Sequence, residues 1–297
     1  MRVAASTRAF AILMLLSLVW ATLFLAVKIG DKSIAPITLM FDRALIATLS
    51  LLPFALFSYF KRQGSSSSFT VQQLLCSAVV GALIAYMWIA IAVAEVVISS
   101  GVAALLTSSV YLFSWILSVA FCRTKKFHLT HAIGVVIATM GLAFSVGIQH
   151  LLTHFDQLDA MLLFVSGFFA FAISGLLSRQ YTNNLPVMEM TTLNLLFTTV
   201  FLWLGGLFHV MPWHQSASLI PLLSVIWAGL ISTAFGYYLY YHLLNSSGPL
   251  FANNFGYCVP VFGLMLSVLL MGMTVTWPQV LAIPLLLFGI YLINLKL

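Results

Sequence analysis

Ser108–Thr124 reads SSVYLFSWILSVAFCRT, and Tyr257–Met273 reads YCVPVFGLMLSVLLMGM. At a constant offset of 149, Val110, Phe113, Ser118 and Val119 match Val259, Phe262, Ser267 and Val268. Upstream, Ser99-Ser100-Gly101 echoes Ser246-Ser247-Gly248, and downstream Gly141 echoes Gly289. A single match of Ser, Val or Phe means little in so apolar a chain. Together, at nearly one offset, the matches divide it into two related halves, residues 1–148 and 149–297.

Both segments are apolar throughout, and so is the rest. Of 297 residues, 62% are hydrophobic and 6% are charged, against about 25% charged in a soluble domain. So little charge cannot coat a water-soluble particle, which excludes a soluble enzyme and a disordered tail. The net charge of +6 is scattered in ones and twos, whereas nucleic-acid binding needs basic residues clustered on a face. Cys76, Cys122 and Cys258 sit in apolar runs with no CxxC spacing, so neither a disulfide framework nor a zinc site is expected.

A helix crossing about 30 Å of hydrocarbon needs about 20 mostly apolar residues. Ten segments qualify: 9–29, 34–58, 71–94, 101–121, 129–148, 159–180, 187–208, 217–243, 249–271 and 277–295. Short polar stretches such as Lys61–Ser68 (KRQGSSSS) and Asn245–Pro249 (NSSGP) separate them. Runs such as Ile283–Ile290 do not alternate, which argues against barrel strands. In lipid the backbone must satisfy its own hydrogen bonds, so the runs are helices. The first, after Arg2 and Arg8, is too long for a signal-peptide core and is read as a span. The predicted fold is an all-α membrane protein of ten transmembrane helices. Five spans per half is odd, so the second half enters the membrane inverted, a plan recurrent in secondary transporters.

Lys and Arg set the orientation. With the N-terminus in the cytoplasm, the inner side holds Arg2, Arg8, Lys61, Arg62, Arg123, Lys125, Lys126, Arg179 and Lys296, and the outer side only Lys28 and Lys32. Both termini are therefore expected in the cytoplasm.

Charge within a span is costly and marks a functional candidate. Arg43 is the conspicuous case, either binding a substrate anion or belonging to a structural arrangement in which Lys28 meets Asp42 and Lys28 and Arg43 snorkel to the outer headgroups. Glu95, at the outer end of span three, reads as a coupling carboxylate or a solvated interfacial acid. Glu189, three residues after Pro186, suits the positive end of a helix dipole. Span eight carries Gly236-Tyr-Tyr-Leu-Tyr-Tyr-His242, in which Tyr238 and His242 share a face, as do Tyr237 and Tyr241. Span nine follows with Asn253, Asn254 and Tyr257. Buried amides and phenols need partners, supplied by other helices or a wet cavity. With Tyr86, Trp88, Ser108, Tyr111 and Asn194 on other spans, Tyr238, His242, Asn253, Asn254 and Tyr257 form the expected substrate-binding set, in a polar, aromatic cavity between the halves. His150, His154, Asp156 and Asp159 have metal-ligand residue types but no helix signal, and a solvated loop is expected. Trp213 and Trp277 sit at span edges like interfacial anchors, and Gly134, Ala138, Gly141 and Ser145 form a packing stripe on span five.

The chain resembles the drug/metabolite transporter superfamily, and within it the EamA-type ten-span exporters. The resemblance rests on Trp20-Ala21-Thr22 with Lys28, Pro36 with Arg43, Gly101–Ser109, and Gly134, Gly141, Gly229, Gly236, Pro260, Phe262 and Gly289. Tyr111 replaces a proline usual there, and Thr124 and Met273 replace glutamates. The resemblance implies export of a small organic solute, often an amino acid, across the bacterial plasma membrane, with Trp20 added to the substrate-binding set. The expected partners are a small-molecule substrate and membrane lipid, with a coupling proton or ion left open, and no nucleic acid. No cofactor, metal or catalytic constellation is expected. The competing expectation is import of an anionic, nucleotide-like or cofactor-like metabolite.

Overall fold

The computed structural model describes residues 7–31, 33–62, 69–98, 106–122, 129–146, 158–181, 184–206, 218–271 and 277–294, and among them there is no strand. The first half supplies α1 (Thr7–Gly30), α2 (Pro36–Arg62), α3 (Val71–Ala94), α4 (Ser109–Cys122) and α5 (Leu129–Val146). The second supplies α6 (Leu158–Tyr181), α7 (Val187–Gly206), α8 (Leu219–Trp227), a π-helix (Ala228–Phe235), α9 (Gly236–Ser247), α10 (Pro249–Ala252), α11 (Phe255–Met271) and α12 (Trp277–Asn294). Each expected span falls on this series. The eighth is one rod, α8–π–α9, and the ninth is broken into α10 and α11. Among the described residues six stretches are long and apolar enough to cross a membrane: Thr7–Val27, Pro36–Lys61, Val71–Ala94, Leu158–Tyr181, Val187–Gly206 and Leu219–Ser247. Ser109–Ser118 and Leu129–Gly141 add shorter apolar helices.

Helix boundaries follow from local chemistry. Thr70 and Gln73 form a reciprocal capping box at the start of α3, with bonds of 3.0 and 3.2 Å, worth about 1 kcal/mol. Gly248 ends α9 with φ +95°, where a β-carbon is penalised, and Pro249 opens α10 with its preset φ. Glu189 lies in the first turn of α7, as its dipole role requires, and is also buried. Its carboxylate accepts the Ser58 hydroxyl at 2.9 Å, tying α2 to α7.

The helices pair in a definite pattern. α1 lies against α11 and the α8–π–α9 rod, α6 against α4 and α3, and α3 also against α7. α2 packs on α7 and the π-helix, and α5 pairs with α12. Small residues permit the closest approaches. A β-carbon on Gly289 would lie 2.6 Å from the Ala138 amide nitrogen, and one on Gly141 2.9 Å from that of Leu286. This is dispersion packing of backbone on backbone, which lipid cannot replace. The outside carries Phe54, Phe57, Leu222, Leu223 and Phe288, all exposed. Such a surface suits hydrocarbon and not water. Trp277 is exposed at the start of α12, and Asp159 falls in the first turn of α6. His150, His154, Asp156, Trp213, Gly101 and the Ser145 side chain lie outside the described residues.

Candidate functional site

Arg43 is 4% exposed, on the inward side of α2. Its guanidinium carbon lies 3.7 Å from the centroid of the Trp88 ring on α3. A desolvated cation over an indole gains about 2 kcal/mol. Its Nε has no hydrogen-bond partner. The guanidinium therefore does not snorkel to headgroups. Trp88 Nε1 donates to the Tyr237 hydroxyl on α9 at 3.1 Å, so the cation is linked through one indole to the second half of the chain. The side chain of Lys28 lies outside the described residues.

Tyr237 leads into a cluster of rings. Trp20 on α1 meets Phe255 at 4.3 Å edge to face, Tyr240 at 5.6 Å and Tyr237 at 5.7 Å. Phe171 on α6 closes it against Tyr240 at 5.2 Å. These rings come from α1, α6, α9 and α11, and the edge-to-face contact of Trp20 with Phe255 adds to plain burial. The π-helix sets the position of Trp20. The Gly236 N–H donates to the Ile231 carbonyl, five residues back, and not to that of Ser232. The Ser232 carbonyl accepts from Trp20 Nε1 at 3.0 Å. Gly236 itself must lack a side chain, because a β-carbon there would fall 2.5 Å from Trp20 Nε1. A π-turn inside a helix often marks a functional position.

The break in span nine provides the polar part. Asn253 and Asn254 are fully buried between α10 and α11. Asn253 Nδ2 donates to Ser114 Oγ on α4 at 2.5 Å, while its Oδ1 has no partner. Tyr111 and Tyr257 face each other across α4 and α11, with ring centroids 5.5 Å apart. The Tyr111 hydroxyl is buried without a hydrogen-bond partner, while those of Tyr240, Tyr241 and Tyr257 face Asn253, Asn194 with Ser178, and Thr139. Left unsatisfied, that hydroxyl costs about 1–3 kcal/mol, so it needs an explanation beyond packing. Ser108 is buried where the chain enters α4, with its α-carbon 3.7 Å from the position a Gly256 β-carbon would take. Asn194 on α7 donates to Ser178 at 3.4 Å.

The structure thus brings together Trp20, Arg43 and Trp88, and places Tyr111, Asn253, Asn254 and Tyr257 at the break. Tyr86 stands apart: it is 43% exposed, and its hydroxyl pairs with Ser166 on α6 at 2.7 Å, joining two helices on the outside of the bundle. Tyr238 and His242 are only half-buried, because the inward face of α9 is Tyr237, Tyr240, Tyr241 and Leu244. Sequence reasoning left Phe171, Tyr237, Tyr240, Tyr241, Ser232 and Phe255 out of the substrate-binding set. The spacing of 237, 240, 241 and 244 is the signal that marks a helix face.

A separate cavity of about 190 Å³ lies where α1 turns into α2 and α3 ends. Val27, Asp31, Pro36, Met40, Ala92, Glu95 and Val96 line it. Burial, then the charge of Asp31, pushes the Glu95 carboxyl up to about 7, against the pull of Arg43. Burial also raises Asp31, partly offset by Arg43. Among the described residues, no group of His, Cys, Asp and Glu is arranged to hold a metal.

A bundle of apolar helices around a buried polar and aromatic cluster is the construction of a multi-pass membrane transporter. The EamA-like transporter family matches the chain twice, over residues 7–147 and 158–295, and the chain belongs to that family. It is also similar to the uncharacterized transporter YdfC of Bacillus subtilis strain 168, with 24% identity over 258 residues, covering 85% of this chain and 80% of YdfC. A protein solved by crystallography has a similar fold, with a TM-score of 0.76 over 97% of each chain at 16% identity. At that identity the likeness concerns the fold alone.

Proposed function

We propose that the protein is a secondary active transporter that exports a small organic metabolite of the amino-acid kind by alternating access. Residues 1–148 and 149–297 act as two inverted five-helix repeats, set in a bacterial inner membrane with both termini cytoplasmic. The skew of Lys and Arg supports that orientation. Helix pairing supports the repeat, because exchanging each span for its counterpart leaves the pattern unchanged. The α1–α11 pair becomes α6–α4, α3–α6 becomes the α8–π–α9 rod with α1, and α3–α7 becomes the rod with α2. The α2–α7 and α5–α12 pairs map onto themselves.

The observation that carries the proposal is the broken span nine. Its amides are fully buried, Asn253 reaches Ser114 in the other half, and the Tyr111 hydroxyl, whose ring meets Tyr257, has no protein partner. Broken helices at the junction of repeats are where secondary transporters hold substrate. The rings of Trp20, Phe171, Tyr237, Tyr240 and Phe255 offer the matching apolar surface. The test is efflux from preloaded cells. Asn253→Ala and Tyr257→Phe should each slow efflux about tenfold, the loss of one substrate hydrogen bond, at unchanged membrane abundance. Wild-type efflux in both variants removes the assignment.

Arg43 favours a second reading. A buried guanidinium with an unpaired Nε suits an anion, and an importer of a nucleotide-like or cofactor-like anion would use it. Direction separates the two: labelled solute accumulates in expressing cells for an importer and leaves preloaded cells for an exporter.

A further inference from the structure

The chain has six acids, and none of those the structure describes forms an ion pair with Arg43. Asp31 and Glu95 line the outer cavity, where the Arg43 charge still reaches them. Asp42 precedes Arg43, about 100° around the helix, and is half-buried. Glu189 is taken by Ser58, about four turns further along α2, and Asp159 is exposed at the start of α6. Asp156 lies outside the described residues. So do the side chains of Lys28 and Lys32, which are cations and supply no counter-charge. A guanidinium without a counter-ion is costly to hold inside a membrane protein. The Trp88 ring, 3.7 Å away, offsets part of that cost, and the Arg43 Nε still has no partner.

A second donor stands near it. Tyr237 is within reach of the Arg43 charge, and its hydroxyl accepts the Trp88 N–H at 3.1 Å. That bond uses an oxygen lone pair and leaves the phenolic proton to be donated elsewhere. Tyr237 also opens the aromatic cluster, with its ring 5.7 Å from Trp20 and 6.2 Å from Tyr240. A fixed cation and a phenol O–H therefore border an apolar wall. Such a pair suits a group that only accepts hydrogen bonds, as a carboxylate does, and repels an ammonium.

We propose that Arg43 and the Tyr237 hydroxyl bind the carboxylate of the substrate, with its apolar body against the rings of Trp20 and Tyr240. The site reads the carboxylate, and the ammonium of an amino acid adds nothing at this end. Bound substrate supplies the missing counter-charge, and the Trp88 ring holds the cation between cycles. The inference deepens the transport reading and rests on it only in calling the carboxylate a substrate.

The test is thermal unfolding of the detergent-purified full chain with 4-methylpentanoate and 3-phenylpropanoate, each against its amide and the matching amine, at fixed pH and ionic strength. Adenosine monophosphate is a further arm. At least one of the two acids should raise the melting temperature saturably, by about 3 °C at about ten times its dissociation constant. Its amide and amine should bind at least about tenfold more weakly, for want of the charge-assisted bond. Arg43→Gln should lose the preference for acid over amide, and Arg43→Lys, which keeps the charge, should retain it. Equal shifts from acid and amide, a larger shift from the amine or from adenosine monophosphate, an acid preference that persists in folded Arg43→Gln, or no shift from either acid would overturn the proposal. The wild-type comparison of acid with amide stands even if a variant does not fold. Acid-selective binding without flux in proteoliposomes removes the transport reading and leaves the site, whereas flux with equal acid and amide binding does the reverse.

Discussion

Tyr237 and Tyr240 lie one turn apart on α9, and the same change at each has different consequences. The Tyr237 hydroxyl accepts the Trp88 N–H beneath Arg43. Tyr237→Phe strands a buried donor and should cost about 1–3 kcal/mol, read as a lower melting temperature in detergent. The Tyr240 hydroxyl faces Asn253 without a well-formed hydrogen bond, so Tyr240→Phe should cost less than about 1 kcal/mol and still impair transport. Glu95 supplies a pH signature. Its carboxyl is raised from 4.5 to about 7, so the folded state holds a proton more tightly than the unfolded chain. Its contribution to stability is full below about pH 4.5 and is lost as pH rises through about 7. The melting temperature should therefore decline over that window, and Glu95→Gln should flatten the decline. The choice of Tyr238 and His242 over Tyr237, Tyr240 and Tyr241 shows where sequence reading stops. A helix in lipid has no water-facing side, so every residue of GYYLYYH was a candidate, and only tertiary packing selects the buried face.

At the scale of the element, the π-helix matters most. It lets the Ser232 carbonyl meet the Trp20 indole, and Gly236 leaves room for that ring. Gly236→Ala should displace Trp20 and cost about 1–3 kcal/mol, as overpacking of a tight core does. A red shift of the tryptophan emission would report the displacement, and unchanged emission with unchanged stability would contradict it. Gly289→Ala tests the α5–α12 pair in the same way, because its β-carbon meets Ala138 backbone that cannot move aside. The ends of α9 and α10 are legible in Asn245–Pro249, where glycine takes φ +95° and proline starts the next helix. The π-turn is not. Ala228–Phe235 holds no proline and no break, and its shifted hydrogen-bond register is fixed by the helices around it. The burial of Glu189 is equally invisible, because Ser58 is 131 residues away.

At the scale of the molecule, hydrophobic length and charge scarcity decide most of the fold. Twenty apolar residues between polar punctuation can do little else in lipid. The offset between Ser108–Thr124 and Tyr257–Met273 pointed to related halves, and the exchange symmetry of the helix pairs agrees with it. The chemistry of the site was legible only as a class. Asn253, Tyr111 and Tyr257 stood out as polar groups too deep for lipid, while Phe171 and Phe255 were two among 24 phenylalanines. The central claim is that this cluster between the halves holds the substrate. Its most direct test is counterflow in proteoliposomes carrying equal amounts of wild-type protein or Asn253→Ala, loaded with individual amino acids. At least one amino acid should drive accumulation of its labelled form with the wild type, and Asn253→Ala should slow it about tenfold. Equal counterflow by the two proteins, or none for any amino acid with the wild type, would contradict the account.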